Sequence, residues 1–144
     1  VDLNSKTVVD GKQENQISLG LINKHFPRKL YAIVGPPDLV DDIAKELLAA
    51  IPEEFVLHNN YPNPFNPVTN IKFGLPEPKN IRLTIVNILG QEVTEITSGW
   101  HDIGYHKYRW NAQNQYGNNV AAGMYFAVLT DGKSVLVRKL LLLK

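Results

Sequence analysis

A chain of 144 residues is long enough for one ordinary domain, or for a small domain with part of another, and its 44% hydrophobic and 20% charged residues are typical of globular proteins. The formal net charge of +1 argues against a nucleic-acid binder, which relies on neutralising many phosphates. The absence of cysteine excludes disulfides and cysteine nucleophiles, and no apolar run approaches the ~20 residues that a membrane-spanning helix requires.

The first third of the sequence carries two strand patterns followed by a helix pattern. Apolar side chains alternate with smaller or polar ones over residues 16–22, and residues 30–34 are a second strand candidate. Apolar residues then recur at helical spacing, which predicts a helix over about 38–51 with Asp38 as its N-cap. Because so few short strands do not close a sheet, we interpret residues 1–54 as the C-terminal end of an upstream domain with a linker.

From Phe55 to Lys144 the sequence consists of short alternating segments separated by turn signals. This pattern is typical of an antiparallel β-sandwich, here of about seven strands. Alternation places on the inward faces the side chains of Ile71, Phe73, Leu83, Ile85, Phe126 and Val128. The charges divide at the same boundary, because residues 1–54 carry six basic and nine acidic side chains and residues 55–144 carry nine and five. The sequence therefore predicts a mostly β chain in which a partial β-rich segment and one helix precede a sandwich.

The last two strands are predicted to form a hairpin. Asp131-Gly132 separates two apolar runs, Met124–Leu129 and Val135–Leu140, and glycine accepts the positive φ that such a turn requires. Residues 135–143 are apolar on both faces, so the last strand either packs inward while its other face meets a partner, or is buried on both sides. The pattern leaves both alternatives open.

The side chains that an enzyme needs do not converge in the sequence. The histidines are scattered, at His25, His58, His101 and His106. The last two lack the i, i+4 spacing of a zinc-binding helix, and no nucleophile elbow, phosphate-binding glycine loop or dinucleotide fingerprint is present. We therefore predict no catalytic activity, no metal and no cofactor for this chain. Five aromatic side chains either fill the core or form a platform for sugars: Trp100, Tyr105, Tyr108, Trp110 and Tyr116.

The segment from Tyr61 to Pro67, Tyr-Pro-Asn-Pro-Phe-Asn-Pro, is the unusual part of the sequence. Its three prolines remove backbone donors and push the residues before them towards extended backbone. The segment therefore cannot be a central strand and is predicted to lie at a sheet edge. Tyr61 and Phe65 are predicted to anchor it on the core, and the asparagines to bond neighbouring backbone groups.

Three blocks of the sequence together resemble the C-terminal sorting domain, type A, of the type IX secretion system, which is related to the immunoglobulin-like domain of flagellar hook-capping proteins. The blocks are residues 60–67, Ile-Val-Asn-Ile-Leu-Gly-Gln-Glu-Val at residues 85–93, and Ala-Gly-Met-Tyr-Phe at residues 122–126 with Gly132, Lys139 and the end at Lys144. The chain departs from the family pattern at Asn87, Gln91 and Ala122, where an acid, an arginine and a serine are usual.

The resemblance implies an immunoglobulin-like sandwich at residues 55–144 that serves as a non-catalytic secretion signal, with residues 1–54 as the end of the cargo. A Gram-negative bacterium would export such a cargo to the periplasm, where an outer-membrane secretion translocon would recognise the domain. A sortase-like peptidase would then release the cargo from the cell or attach it to surface lipopolysaccharide. The motif residues that become candidates for recognition are Tyr61, Pro62, Asn63, Pro64, Phe65, Asn66, Pro67, Gly90, Gly123, Tyr125, Gly132, Lys139 and Lys144.

Two other functions are compatible with the sequence. One is a structural immunoglobulin-like assembly domain, as in hook-capping proteins, which would be an insertion within its chain. The other is a carbohydrate-binding accessory module of a secreted hydrolase, which predicts an exposed ring at Trp100 or Trp110.

Overall fold

The computed structural model of the chain describes residues 37–144, which are divided between two compact units after Ile51. The described part of the first unit contains one helix, α1 (Pro37–Ala49). Proline suits the first position of a helix, because the N–H that it lacks has no partner there. Asp38 therefore lies inside the first turn, and the prediction that it is the N-cap is wrong. The strand candidates before residue 37 lie outside the described residues.

The second unit is built from strands that form two sheets. The strands are β1 (Val56–Leu57), β2 (Thr69–Leu75), β3 (Lys79–Asn87), β4 (Glu92–His101), β5 (Gly104–Trp110), β6 (Gly123–Thr130) and β7 (Val135–Leu142). A three-stranded sheet has the order β1-β2-β5 and a four-stranded sheet the order β4-β3-β6-β7, with antiparallel pairing throughout. The predicted antiparallel β-sandwich is confirmed. Over residues 37–144, no helix is both long and apolar enough to cross a membrane.

The core lies between the two sheets. The side chains that β2 and β3 contribute to it are the ones that the alternating sequence pattern predicts. Ile71, Phe73, Leu83 and Ile85 are all fully buried. Each contributes roughly 1.5–3 kcal/mol through the apolar surface that folding removes from water. The hairpin of β6 and β7 is also confirmed, with Leu129 opposite Leu136 in its register.

The side of β6 that faces the core is the opposite of the predicted side. Tyr125, Ala127 and Leu129 point inward, whereas Phe126 and Val128 lie half-buried on the outer face. Alternation sets the inward face only when the other face is polar, and both faces of β6 are apolar. Pairing with β3 decides which side of β6 faces the core, because the inward residues of β3 lie opposite the inward residues of β6.

The second unit begins with a proline that packs on the outer face of the three-stranded sheet. Pro52 is fully buried, and Gly74 of β2 leaves space for its ring. A Cβ atom at residue 74 would lie 2.8 Å from both Cβ and Cγ of Pro52, well inside the van der Waals distance. Pro52 therefore belongs to the packed sandwich, while Glu53 and Glu54 after it are exposed.

Candidate recognition site

The proline-rich segment joins the edges of both sheets. It first continues β1 alongside β2, where the Tyr61 N–H donates to Asn70 O (3.0 Å) and the Asn70 N–H to Tyr61 O (2.9 Å). It then crosses to the other sheet, where Phe65 forms a parallel bridge to the end of β7. The Phe65 N–H donates to Leu141 O and the Leu143 N–H donates to Phe65 O, both at 2.9 Å. The predicted edge position is confirmed, and it involves an edge of each sheet.

The side chain of Asn63 takes the place of a backbone peptide group beside β7. Its Nδ2 donates to Lys139 O (3.0 Å), and its Oδ1 accepts the Leu141 N–H (3.0 Å). The prolines on both sides offer no N–H, so the amide supplies the donor and acceptor that the main chain lacks. The prediction that this asparagine bonds neighbouring backbone is wrong, because its partners lie 76 and 78 residues away.

Phe65 anchors the segment in the core, and Tyr61 does not. The Phe65 ring is 2% exposed and lies 5.5 Å from the Trp110 ring, which in turn lies 5.4 Å from the Tyr125 ring. This aromatic row connects the segment with β5 of one sheet and β6 of the other. Tyr61 is 80% exposed, because pairing with Asn70 turns its side chain towards the outer face.

The polar atoms of the aromatic row keep hydrogen-bond partners inside the fold. Trp110 Nε1 donates to Gln113 O (2.9 Å), and the Tyr125 hydroxyl donates to Ala121 O (2.7 Å). Burial raises the pKa of Tyr125, because the phenolate would lose its hydration. Tyr125 was a motif residue in the sequence, but no sequence pattern predicted its edge-to-face contact with Trp110.

A second side-chain amide, that of Asn60, forms hydrogen bonds just before the proline-rich segment, and no sequence pattern predicted them. Asn60 is buried, and its Nδ2 donates to Thr69 Oγ1 (2.8 Å) and to Pro62 O (3.1 Å). The Thr69 hydroxyl donates to the same carbonyl oxygen (2.8 Å). Asn60 is the first residue of the motif block 60–67, and this position was the sign in the sequence that it could have a role. These bonds hold the start of the segment against β2.

The turn between β3 and β4 is held by the side chain of Asn87. Its Oδ1 accepts the N–H groups of Leu89 (2.9 Å) and Gln91 (3.0 Å), and its Nδ2 donates to Gln91 Oε1 (2.9 Å). Gly90 has φ 77°, a backbone conformation that glycine adopts without strain. Two of the departures from the family pattern, Asn87 and Gln91, are therefore hydrogen-bonded to each other.

The three motif blocks meet at one end of the sandwich, which we call the motif end. Asn87 lies opposite Tyr125 in the pairing of β3 with β6, and Tyr125 lies opposite Leu140 in the pairing of β6 with β7. Gly123 lies opposite Leu142, which also forms the bridge to the proline-rich segment. The fold thus brings together segments that are far apart in the sequence.

Comparison with known proteins identifies the family. A sequence profile of the family described as "Secretion system C-terminal sorting domain" matches residues 59–143, which is more than half of the chain. The chain belongs to this family of sorting domains. The resemblance to sorting domains of the type IX secretion system is confirmed, and membership implies a role in targeting a protein for secretion. Neither the hook-capping function nor the carbohydrate-binding function is supported.

Two solved structures are similar to the sorting domain. Latent PorU of Porphyromonas gingivalis is 16% identical with a TM-score of 0.49, and the match covers 62% of this chain and 9% of PorU. PorZ of the same organism, described as a surface component of the type IX secretion system, is 19% identical with a TM-score of 0.43, and the match covers 64% of this chain and 12% of PorZ. No curated protein matches the sequence.

Gly132 lies in the hairpin loop at the opposite end of the sorting domain. Asp131 organises this loop, because its Oδ1 accepts the N–H groups of Ser134 (2.7 Å) and Lys133 (3.0 Å) and its Oδ2 accepts from Lys79 Nζ (3.2 Å). These hydrogen bonds lower the pKa of Asp131 from 3.8 to about 2, and the bond from the Ser134 N–H has the largest effect. Gly132, with φ 85°, completes the turn. The structure therefore separates this motif residue from the others.

Unlike the aromatic motif residues, the two motif lysines do not contribute their side chains to the motif end. Lys139 offers its backbone O to Asn63, while its side chain is exposed. Lys144 is exposed at the end of the chain. Neither ammonium group forms an ion pair with a described residue, so the motif end is held by backbone and amide bonds rather than by these charges.

The side chains of His101 and His106 bond to protein groups, whereas the buried Nε2 of His58 has no hydrogen-bond partner among the described residues. His101 Nε2 lies 2.8 Å from the Tyr108 hydroxyl and Nδ1 lies 3.0 Å from Gly99 O, while His106 Nε2 lies 2.8 Å from Asp102 O. Within residues 37–144, no group of three or more potential ligands could hold a metal ion. His25 lies outside the described residues.

The aromatic side chains share no common surface. Trp110 is 2% exposed, so the ring exposure that a carbohydrate module predicts is absent there. Trp100 and Tyr105 are about half exposed, but strand register puts them on the outer faces of different sheets. A flat platform for sugars therefore does not form from these residues.

The last strand presents an apolar outer face. On β7, Val135 is 62% exposed and Val137 is 45% exposed. At the other end of the hairpin, Met124 opposite Leu141 and Leu143 beyond β7 are exposed to a similar degree. The half-buried Phe126, Val128 and Leu141 complete this face of the hairpin. We call it the hairpin face. Within residues 52–144, the sandwich therefore does not bury β7 on both sides.

Proposed function

We propose that residues 52–144 are a non-catalytic signal that the outer-membrane translocon of the type IX system recognises through the hairpin face. Residues 1–51 are then the end of the cargo that is delivered to the cell surface or exterior. A sortase-like peptidase acts after translocation, and it either releases the cargo or attaches it to surface lipopolysaccharide. Family membership supports the targeting step. The exposed apolar side chains of the hairpin face support the assignment of recognition to that surface.

The hairpin face is an unusual surface for a small sandwich. Val135 and Val137 lie next to each other on one side of the edge strand, and the half-buried Val128 and Phe126 of β6 connect them with Met124 at the other end of the hairpin, where the exposed Lys139 lies opposite Phe126. Contiguous exposed apolar surface is typical of sites that bind a partner. Burial against a partner stabilises such a complex by roughly 25 cal/mol for each Å² of apolar surface removed from water.

The face of β7 is a better docking surface than its edge. The backbone groups of an edge strand are a template for pairing with another strand. In this domain, Asn63 and Phe65 already bond the edge from Lys139 to Leu143. An incoming strand therefore finds only the part of the edge near Val135 and Val137 open among the described residues.

Export of two matched double variants tests the proposal. Val135→Thr with Val137→Thr removes apolar surface from the hairpin face and keeps β-branched side chains that suit a strand. Because both residues are exposed, the free energy of unfolding should change by less than about 0.5 kcal/mol per residue. We expect the protein to accumulate in the periplasm as a folded, protease-resistant product, with much less at the cell surface.

The matched control removes exposed apolar surface elsewhere. Trp100→Thr with Tyr116→Thr changes two side chains outside the motif blocks that are 47% and 78% exposed. This variant should reach the surface normally. Normal surface display of the Val135/Val137 variant, or an equal defect in both variants, would rule out the hairpin face as the recognition surface.

A further inference from the structure

A cavity opens at the motif end, between the start of β4 and the loop that joins β5 to β6, and we call it the motif-end cavity. Its volume is about 300 Å³, near the lower limit for cavities that bind ligands, so it suits a single side chain of a partner. Its lining combines two valines and two tyrosines with amides and one carboxylate: Val93, Val120, Tyr116, Tyr125, Gln115 and Glu92.

The loop wall of the motif-end cavity is held in place by hydrogen bonds. The Gln115 N–H donates to Val93 O of β4 at 3.1 Å, which fastens the loop to the strand. Asn114 Oδ1 accepts the N–H groups of Tyr116 and Asn118, both at 3.0 Å. The cavity therefore exists before a ligand enters it, and a partner does not have to order this loop in order to bind.

Glu92 is the only charged residue among the described residues that line the cavity, and its carboxylate can accept a second cation. Arg82 Nη2 donates to both oxygens of Glu92, at 3.0 and 2.8 Å, and so uses two of the about four acceptor positions of a carboxylate. Arg82 Nε also donates to Glu95 Oε2 at 2.7 Å. One guanidinium is thus shared between two carboxylates, which leaves one negative charge uncompensated beside the cavity.

The other polar groups of the cavity suit a planar cation. Among residues 37–144, the Gln115 side-chain amide and the Tyr116 hydroxyl form no hydrogen bond. Tyr116 is 78% exposed, so its ring is open to a cation that stacks on it. Arginine is planar, carries five donors and stacks on aromatic rings, whereas lysine is a compact point charge. The lining therefore favours arginine over lysine.

We infer that the motif-end cavity binds an arginine side chain that a partner protein presents on an extended segment. The aliphatic stem of this arginine lies against Val93 and Val120, while its guanidinium bonds Glu92 and stacks on Tyr116. The inference goes beyond the proposed function, because the translocon is proposed to contact the hairpin face and the cavity lies at the end of the sandwich. The domain then has separate surfaces for two partners.

Titration of the purified full chain with two short peptides, followed by NMR spectroscopy, tests the inference. One peptide is acetyl-Gly-Arg-Gly-amide, and the other contains citrulline, which keeps the shape of arginine without its charge. We expect the arginine peptide to shift the backbone signals of Val93 and Gln115. The citrulline peptide should bind about fivefold more weakly, because the pairing of its side chain with the carboxylate is lost.

Two matched variants separate the cavity from charge in general. Glu92→Gln should weaken binding of the arginine peptide by about fivefold. Glu95→Gln is the control and should bind normally, because Glu95 also bonds Arg82 but does not line the cavity. Both carboxylate side chains are 39% exposed, so both variants should fold, and thermal denaturation checks this.

Three results would overturn the inference: no shift of the cavity signals with the arginine peptide, equal affinity for both peptides, or equal loss in the Glu92 and Glu95 variants. The assay is independent of export. The Val135/Val137 variant should bind the peptide normally, whereas the Trp100/Tyr116 variant should reach the cell surface and yet bind the peptide about threefold more weakly. Absent peptide binding together with an export defect in the Val135/Val137 variant would remove only the inference and leave the proposed function in place.

Discussion

One asparagine side chain closes the exposed edge of the last strand. Asn63 offers a donor and an acceptor in the same arrangement as a peptide group, and both are used, by Lys139 O and the Leu141 N–H. A continuous strand could not run here because of the prolines on both sides of Asn63. The family motif thus combines a stiff backbone with one side chain that restores the missing bonds.

Replacing Asn63 with alanine should lower the free energy of unfolding by about 1–2 kcal/mol, because two backbone groups of β7 lose their protein partners. Urea denaturation measures the change. Asn66→Ala is the matched control, since Asn66 is exposed and its side chain has no hydrogen bond among residues 37–144. Equal effects of the two substitutions would show that the amide of Asn63 does not stabilise the edge.

Asn87 and Gln91 show how two departures from a family pattern compensate each other. An acid and an arginine at these positions would form an ion pair, whereas here the two amides hydrogen-bond at 2.9 Å. The Oδ1 atom of Asn87 accepts the same two backbone N–H groups that a carboxylate could accept. The turn therefore keeps its geometry without charge.

At the scale of the element, the β6–β7 hairpin depends on one carboxylate. Asp131 accepts two backbone N–H groups of its own loop and the ammonium of Lys79, which connects the loop to β3. These bonds favour the charged form, so the pKa of Asp131 is lowered to about 2 in the folded protein. A group whose pKa is lower in the folded state stabilises the fold above its unfolded pKa of about 4 and loses that contribution as the pH falls.

We therefore expect the free energy of unfolding to decrease between about pH 4 and pH 2, with a contribution from Asp131 on the order of 1 kcal/mol after solvent screening. Asp131→Asn should be less stable than the native chain at pH 7 and nearly as stable at pH 2. Denaturation over a pH series measures this difference. Asp102→Asn, at an exposed position, is the control. A difference that does not change with pH would contradict the role of the charge.

The strands of the sandwich could be predicted from sequence, but the sides that some of them present could not. Ile71 and Phe73 of β2 alternate with polar or small residues, so their inward direction is visible in the pattern. Phe126 and Val128 of β6 alternate with equally apolar neighbours, and the pairing partner decides the phase. The half-buried outer positions of β6 also belong to the hairpin face, so the apolar side chains that hide the inward side of β6 in the sequence also form part of the proposed recognition surface.

The sequence indicated several of the residues that meet at the motif end, such as Asn63, Phe65 and Tyr125, but not their contacts, and it did not indicate that Gly132 lies at the opposite end. The motif residues could be marked because prolines and glycines stand out in a sequence. The partners of Asn63 could not, since they lie 76 and 78 residues away and no local pattern encodes a pairing of that length. The contact between the Phe65 and Trp110 rings could not be predicted for the same reason.

At the scale of the whole molecule, the end of the chain completes the fold. Deleting residues 139–144 would remove the buried Leu140 and Leu142 together with the partners of Asn63 and Phe65. We expect the truncated chain to lose cooperative unfolding, as measured by circular dichroism and limited proteolysis, because buried leucines contribute about 2–5 kcal/mol each. A truncated chain that still unfolds cooperatively would show that the sandwich is stable without its last residues.

The packing of Pro52 on Gly74 determines where this module can be joined to another protein. A fusion that starts at Phe55 would leave out the ring that fills the space above Gly74 and would expose that part of the sheet. A transferable secretion tag made from this chain should therefore begin no later than Pro52, with the foreign sequence attached upstream. The exposed Glu53 and Glu54 would travel with the tag as part of it, and an engineered protease site would belong before them.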